Sequence, residues 1–196
     1  MICRGMMSDK VRIRQAAMSD VPTLEHLITL SVRGLSNDYY APEQIESALV
    51  YVFGIDTQLI NDGTYFVAEL ENKIIGCGGW SKRQTLFGGD QAKRNEDNLL
   101  DPKIEPARIR AFFIHPDFAR RGIGKQIISA CENAAAEAGF QQLELAATLP
   151  GEPMYTAAGY QVIERFNHQL KDGIVLPLVR MGKALFTNQK SAGKRK

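Results

Sequence analysis

The first ordered pattern along the chain is an alternation of apolar and polar residues in VRIRQA at 11–16, which predicts a strand. Ser19, Asp20 and Pro22 then supply a helix cap and an early proline, and Leu24, Leu27, Ile28 and Val32 form one apolar stripe at helical spacing. A second helix opens at Pro42, with Ile45, Leu49 and Val52 or Phe53 on its buried side. The runs TYFVAE at 64–69 and IIGCGGW at 74–80 read as two strands of a hairpin, joined by the polar turn Glu71–Lys73. Gly76, Gly78 and Gly79 weaken the second of these and mark a bulge or a close backbone approach. From 82 to 106 all periodicity is lost, and a stretch of that length inside a domain is functional or disordered.

Order returns with a strand at 108–114 that ends at His115 and Pro116. A helix over about 122–137 follows, carrying Ile123, Ile127, Ile128, Cys131, Ala134, Ala135 and Ala138 on one face and Gly139 as its stop. A strand at 142–146, a short helix at 153–158 and strands near 161–165 and 175–181 complete the series. The order βααβββαβαββ predicts an α/β or α+β fold with a mixed sheet. Residues 1–9 read as a flexible lead-in, 10–185 as one domain with a long 82–106 insertion, and 186–196 as a basic flexible tail.

Composition narrows the function less than the pattern does. A length of 196 residues suits one domain, and 44% hydrophobic residues exclude a disordered or collagen-like chain. Lys and Arg number 24 against 22 Asp and Glu, so no general field favours nucleic acid or a membrane surface. Cys3, Cys77 and Cys131 are odd in number and show no metal-ligand spacing, which argues against a disulfide framework or a metal site. With no leader-like or membrane-spanning run, the expectation is a cytoplasmic protein.

The chemistry concentrates where the strand at 108–114 passes through HPDFA into Arg120, Arg121, Gly122, Ile123, Gly124 and Lys125. Glycines at a strand-to-helix turn let the backbone approach a ligand, and the first helical turn presents free N–H groups and the positive dipole end. That is an anion cradle, and three cations around it suit a pyrophosphate. The alternative is a solvated basic turn whose glycines serve packing. Neither GxxxxGK[ST] nor GxGxxG is completed, which disfavours nucleotide hydrolysis and a dinucleotide fold.

These residues resemble the GNAT family of N-acetyltransferases, whose acetyl-CoA motif is a strand followed by [QR]xxGxG and a long helix. The similarity spans most of the chain and is strongest over IRAFFIHPDFARRGIGKQII. It implies a single-domain fold with a mixed, mostly antiparallel sheet flanked by helices, and acetyl-CoA as cosubstrate without a metal. It further implies that the backbone of Phe112, Phe113 and Ile114 binds the pantetheine arm and thioester, and that Arg120 to Lys125 bind the pyrophosphate. Ala119 stands where the motif carries Gln or Arg.

Downstream, Tyr155 precedes Gly159 and Tyr160 in a match to the family's YxxxG[FY]. The resemblance makes Tyr155 the candidate acid for the leaving thiolate; a packed helix tyrosine is the other reading. Glu144 lies one residue from a position where relatives carry a glutamate and is the candidate base, or else a solvent-facing strand residue. Thr148 and Arg108 replace an asparagine and an acidic residue of relatives. The implied reaction is direct acetyl transfer to a small or peptide amine in a ternary complex, with a non-catalytic acyl-CoA sensor as the alternative. The 37–40 link and the 82–106 loop would recognise the acceptor, and a homodimer is left open.

Overall fold

The computed structural model describes residues 10–93 and 97–185. The expected lead-in at 1–9, the tail at 186–196 and Cys3 lie outside the described residues. Seven strands form one sheet: β1 (Arg12–Gln15), β2 (Tyr65–Leu70), β3 (Lys73–Ser81), β4 (Ala107–Ile114), β5 (Gln142–Thr148), β6 (Gln161–Gln169) and β7 (Val175–Ala184). Their order across the sheet is β1-β2-β3-β4-β5-β7-β6, antiparallel throughout except for the parallel pair β4 and β5. That pair requires a crossover, because parallel strands cannot be joined by a tight turn, and helix α4 (Ile123–Glu137) supplies it.

Side chains alternate between two cores. Residues such as Ala68, Ile75, Ile109, Leu143, Leu145 and Met181 meet Ile123, Ile127, Ile128, Cys131 and Ala135 of α4. On the opposite face, Tyr65, Val67 and Cys77 pack under Leu24 and Leu27 of α1 (Val21–Ser36), beside Leu59 of α3 (Thr57–Asn61). Ile28 and Val32 continue that α1 stripe onto Ile45 and Ala48 of α2 (Pro42–Tyr51) and onto Leu176 and Leu178 of β7. The remaining helix, α5 (Glu152–Ala157), follows β5 and carries Tyr155 inward.

The hairpin turn is tighter than the pattern suggests. Glu71 and Asn72 both take positive φ, 50° and 62°, a two-residue turn whose twist matches that of its strands, and Lys73 belongs to β3. Asp20 stands at the start of α1 but does not cap it. Its carboxylate turns back to Arg14, at 2.7 Å, and accepts the Ala17 N–H at 2.8 Å, while Arg14 also reaches Glu69 at 2.6 Å and so ties β1 to β2. Helix α3 was not foreseen, since five residues are too few to display a period.

The 82–106 segment is held at many points despite its lack of pattern. Gly89 N–H donates to Val52 O at 2.8 Å, Asp90 N–H to Ile55 O at 2.9 Å, and Arg83 pairs with Asp62 at 2.8 Å. Leu100 is buried against the α4 face. The described residues of this segment are therefore anchored to the segment linking α2 and α3 rather than free of the core.

The Arg14 guanidinium holds the Asp20 carboxyl below its ordinary 3.8. A depressed carboxylate stabilises the fold above that value, and the contribution is lost as pH falls through the lower folded-state value. Asp20→Asn is expected to cost about 1 kcal/mol at pH 7, with the midpoint of thermal unfolding roughly 2–4 °C lower. The gap between variant and native protein should close as the pH is lowered below 3.8 in a series of melts.

Candidate active site

The site starts from an irregularity in β4. Opposite it, β3 carries Gly76, Gly78 and Gly79, and the register slips between Cys77 and Gly79. A Cβ at Gly78 would lie 2.6 Å from the Phe112 ring, so glycine there is a matter of space. On the β4 side Ala111 has φ 54°, a left-handed residue inside a strand and therefore a bulge. Tyr65 stabilises it from beneath: its buried hydroxyl donates to Ala111 O at 2.9 Å and lies 3.2 Å from Cys77 Sγ. Burial pushes the Cys77 thiol up to about 12, so it remains a protonated core group.

The bulge has two consequences. β4 pairs with β5 only at Ala107↔Leu143 and Arg108↔Glu144, and beyond these the strands part. Because the peptide bonds are trans, the Ala111 C=O that points to Tyr65 directs the Phe112 N–H the opposite way. The Ile114 N–H is already engaged, donating to Ser31 Oγ of α1 at 3.0 Å.

Where the strands part lies a cleft of about 430 Å³. Phe112, Phe113 and Ile114 line it from β4, and Arg120, Gly122, Ile123, Gly124 and Lys125 from the turn and the first turn of α4. Arg121 is the one member of the predicted cofactor set outside this lining; it stacks its guanidinium over Phe118, 5.3 Å from the ring centre, and Phe118 borders the cleft. Arg120 and Gly122 take φ of 62° and 78°, and these left-handed residues turn the chain into α4. The first helical carbonyl bond is Gln126 N–H to Gly122 O, so the N–H groups of Ile123, Gly124 and Lys125 have no partner within the helix. Gly124 serves packing as well, since a Cβ there would run into the Met154 sulfur of α5.

Through the parted strands the cleft adjoins a smaller cavity of about 100 Å³ on the α2 side. Phe53, Phe112, Phe113, Thr148, Gly151 and Met154 border both. Tyr155 lines the small cavity with its ring edge-on to Phe112 and Tyr160, at 6.0 and 5.8 Å. Burial, with Cys131 nearby, pushes its phenol well above the ordinary 10. Glu144 borders neither space. It is buried between Arg180, at 2.6 Å, and Arg108, at 3.2 Å, on the same face of β5 as Ala146 and Thr148 but farther from the divergence. Its carboxylate is thus committed to two guanidinium groups.

Other side chains sort clearly. His115 accepts the Asp117 N–H and opens the turn before α4, and Cys131 is in the core. Trp80 packs edge-on against Phe140 in the α4 core, away from any acceptor space. Tyr39 lines the cleft, whereas Tyr40 is a strut: its hydroxyl donates to Pro177 O at 2.7 Å and accepts the Leu149 N–H at 2.9 Å. Of the 82–106 segment, Leu86 to Gly89 wall the small cavity. The sequence reading did not single out Arg110, which lines that cavity, or Asp56, which pairs with both Arg110 and Lys93; the arginines Arg108 and Arg110 within an apolar strand were the available signal. Among the described residues no group of three or more His, Cys, Asp or Glu is arranged for a metal, and no helix is long and apolar enough to cross a membrane.

A parted parallel strand pair, with a helix N-terminus at one end of the opening, is the architecture of an acyl-CoA-dependent transferase fold, and residues 61–162, more than half of the chain, match the acetyltransferase (GNAT) domain. The chain belongs to the GNAT acetyltransferase family. Solved structures agree on the fold. A GCN5-related N-acetyltransferase from Rhodopseudomonas palustris aligns over 93% of this chain and 99% of its own, with a TM-score of 0.67 and 20% identity. The PaiA N-acetyltransferase of Thermoplasma acidophilum, in complex with coenzyme A, aligns over 90% and 99% with a TM-score of 0.56 and 15% identity. A putative acetyltransferase of Salmonella typhimurium, with acetyl-CoA, aligns over 91% and 96% with a TM-score of 0.59 and 15% identity. A search of curated protein sequences finds no match.

The Tyr65 hydroxyl is the support of the bulge, and its removal leaves the Ala111 carbonyl buried without that donor. Tyr65→Phe is expected to lower stability by about 1–3 kcal/mol, read as a reduced urea midpoint with an unchanged slope.

Proposed function

We propose that this acetyltransferase moves the acetyl group of acetyl-CoA onto an amine by direct attack in a ternary complex. The observation that carries the reading is the divergence of β4 and β5 into a cleft that ends at the unpartnered N–H groups of α4. The residues fit the cosubstrate: the N–H groups of Ile123, Gly124 and Lys125, with the exposed Arg120, Arg121 and Lys125 side chains, would hold the pyrophosphate. Phe112 to Ile114 would line the pantetheine arm, and acetyl-CoA supplies the activated thioester.

Among the three β4 N–H groups, that of Phe112 is the best donor for the thioester carbonyl. Ile114 is engaged by Ser31, and the Phe112 N–H is turned away from Tyr65 by the trans peptide. A donor fixed in the backbone stabilises the developing oxyanion without reorganising. The amine nitrogen attacks the carbonyl carbon, the C–S bond breaks, and the proton lost by nitrogen is the one finally gained by sulfur.

Tyr155 would meet that sulfur as a hydrogen-bond donor. Its raised phenol holds its proton more tightly than a thiol, of ordinary value about 8.5, so it stabilises the leaving thiolate without giving the proton away. No carboxylate or imidazole lines either space among the described residues, and Glu144 is held by its two arginines. The amine therefore arrives as its free base, its ammonium proton left in bulk water, and water relays to the sulfur the proton it loses on attack. The same observation is what favours the second reading, an acyl-CoA-binding module that does not turn over.

Thiol release across a panel of amines, followed with pH, separates the two. The transferase is expected to show kcat/KM rising tenfold per pH unit up to the pKa of the acceptor, with the break moving when the acceptor is changed. Tyr155→Phe should lower kcat about 10 to 100-fold while KM for acetyl-CoA stays within about twofold. Tight binding of acetyl-CoA with background thiol release for every amine would establish the binding module instead.

A further inference from the structure

Helix α1 carries a polar residue where its buried stripe calls for an apolar one. Leu24, Leu27 and Ile28 face the sheet, and Ser31 follows at the same helical spacing and is also buried, at 5% exposure. Gly34, one turn farther on, lets α1 come close to this end of β4: a Cβ there would lie 2.4 Å from the ring of Pro116, two residues beyond the strand. Ser31 thereby reaches the strand edge, and its Oγ accepts the Ile114 N–H at 3.0 Å. The next N–H, that of His115, donates to Ile75 O of β3 at 2.9 Å. Successive N–H groups of a strand point to opposite sides, so the Ile114 N–H points away from β3, to the side from which β5 has parted. The Ser31 oxygen therefore sits at the edge of the opening, and both residues line the cleft.

A hydroxyl can accept and donate at once. Two other helix hydroxyls spend their proton on the carbonyl four residues back, Thr29 on Glu25 O at 3.1 Å and Thr156 on Glu152 O at 3.0 Å. Ser31 does not: among the described residues its side chain makes one hydrogen bond, the one it accepts from Ile114. Its proton is left without a protein acceptor in a buried position, which is costly until an acceptor arrives. The N–H that it accepts also polarises the hydroxyl and makes it a better donor. The neighbouring wall is apolar, from Val32, Leu35, Phe113 and Ile114, so the donor suits a neutral carbonyl oxygen rather than a phosphate.

Resting on the transferase reading, we propose that the Ser31 hydroxyl donates to an amide carbonyl oxygen of the pantetheine arm, so that α1 makes a contact the β4 backbone cannot. The arm has to reach from the Phe112 N–H to the Arg120–Lys125 turn, and Ile114 lies on the stretch of chain between them, in the same cleft. At that point the strand has no free N–H on the cleft side, because that of Ile114 is engaged. Ser31 extends the engaged N–H by one hydroxyl and presents a donor in its place. Binding of the arm thereby draws on the position of α1 as well as on the sheet.

Calorimetry with two ligands tests this without turnover: CoA, and phosphoadenosine diphosphate, which is the nucleotide of CoA with its pyrophosphate but without the arm. Ser31→Ala is expected to weaken CoA binding about three- to tenfold and to leave that of the nucleotide within about twofold. Ser31→Cys, close in size but a weak donor, should show a loss of the same kind. A hydroxyl that merely caps β4 predicts the reverse, since its removal frees the Ile114 N–H for the arm and CoA then binds equally well or more tightly. That result, or a loss shared equally by CoA and the nucleotide, overturns the proposal in whichever variant folds. Absence of CoA binding by the native protein would instead remove the transferase reading, and the Ser31 contact with it.

Discussion

The hydrogen bond from the Tyr65 hydroxyl to Ala111 O is the interaction on which the site depends. A left-handed alanine inside a strand costs on the order of 1–2 kcal/mol relative to an extended one and breaks the ladder locally. Tyr65 offsets that cost from a fully buried position, and Gly76 and Gly78 of β3 give the β4 side chains of Ile114 and Phe112 room. With the bulge in place, β4 and β5 pair at two positions and then separate. The separation produces the cleft, the small cavity behind it and a main-chain N–H turned out of the ladder. One local irregularity thus generates two binding spaces that meet at Phe112 and Phe113.

The two spaces differ in how they treat charge. On the cleft side, positive potential comes from solvated side chains and from a helix N-terminus, which suits a long anion that stays partly in water. The small cavity is walled mostly by apolar side chains, and the charge beside it is buried in a network of Asp56, Lys93 and Arg110 that fastens the 82–106 segment to α3.

Legibility in the sequence followed periodicity. The α1 stripe of Leu24, Leu27, Ile28 and Val32, the hairpin at 64–80 and the α4 face all repeat at the period of their elements, and the fold class was readable from them. The Arg120–Lys125 turn was readable because glycines and a helix start are local signals. What escaped were contacts between residues far apart in the chain. Nothing at Arg110 points to Asp56, and the bonds of Gly89 and Asp90 to the α2–α3 link have no period to display. Glu144 fits the pattern of a strand residue near the reaction, but its two arginines come from β4 and β7, which strand pairing alone brings together.

The central claim is that the bulge frees the Phe112 N–H for the thioester carbonyl. Amide proton shifts of the isotope-labelled protein report on it directly, with CoA and acetyl-CoA compared as ligands. Acetyl-CoA is predicted to move the Phe112 amide proton downfield relative to CoA, while the Ile114 amide, bonded to Ser31, changes little between the two. A Phe112 amide indifferent to the acetyl group, with the difference appearing elsewhere on β4, would contradict the account.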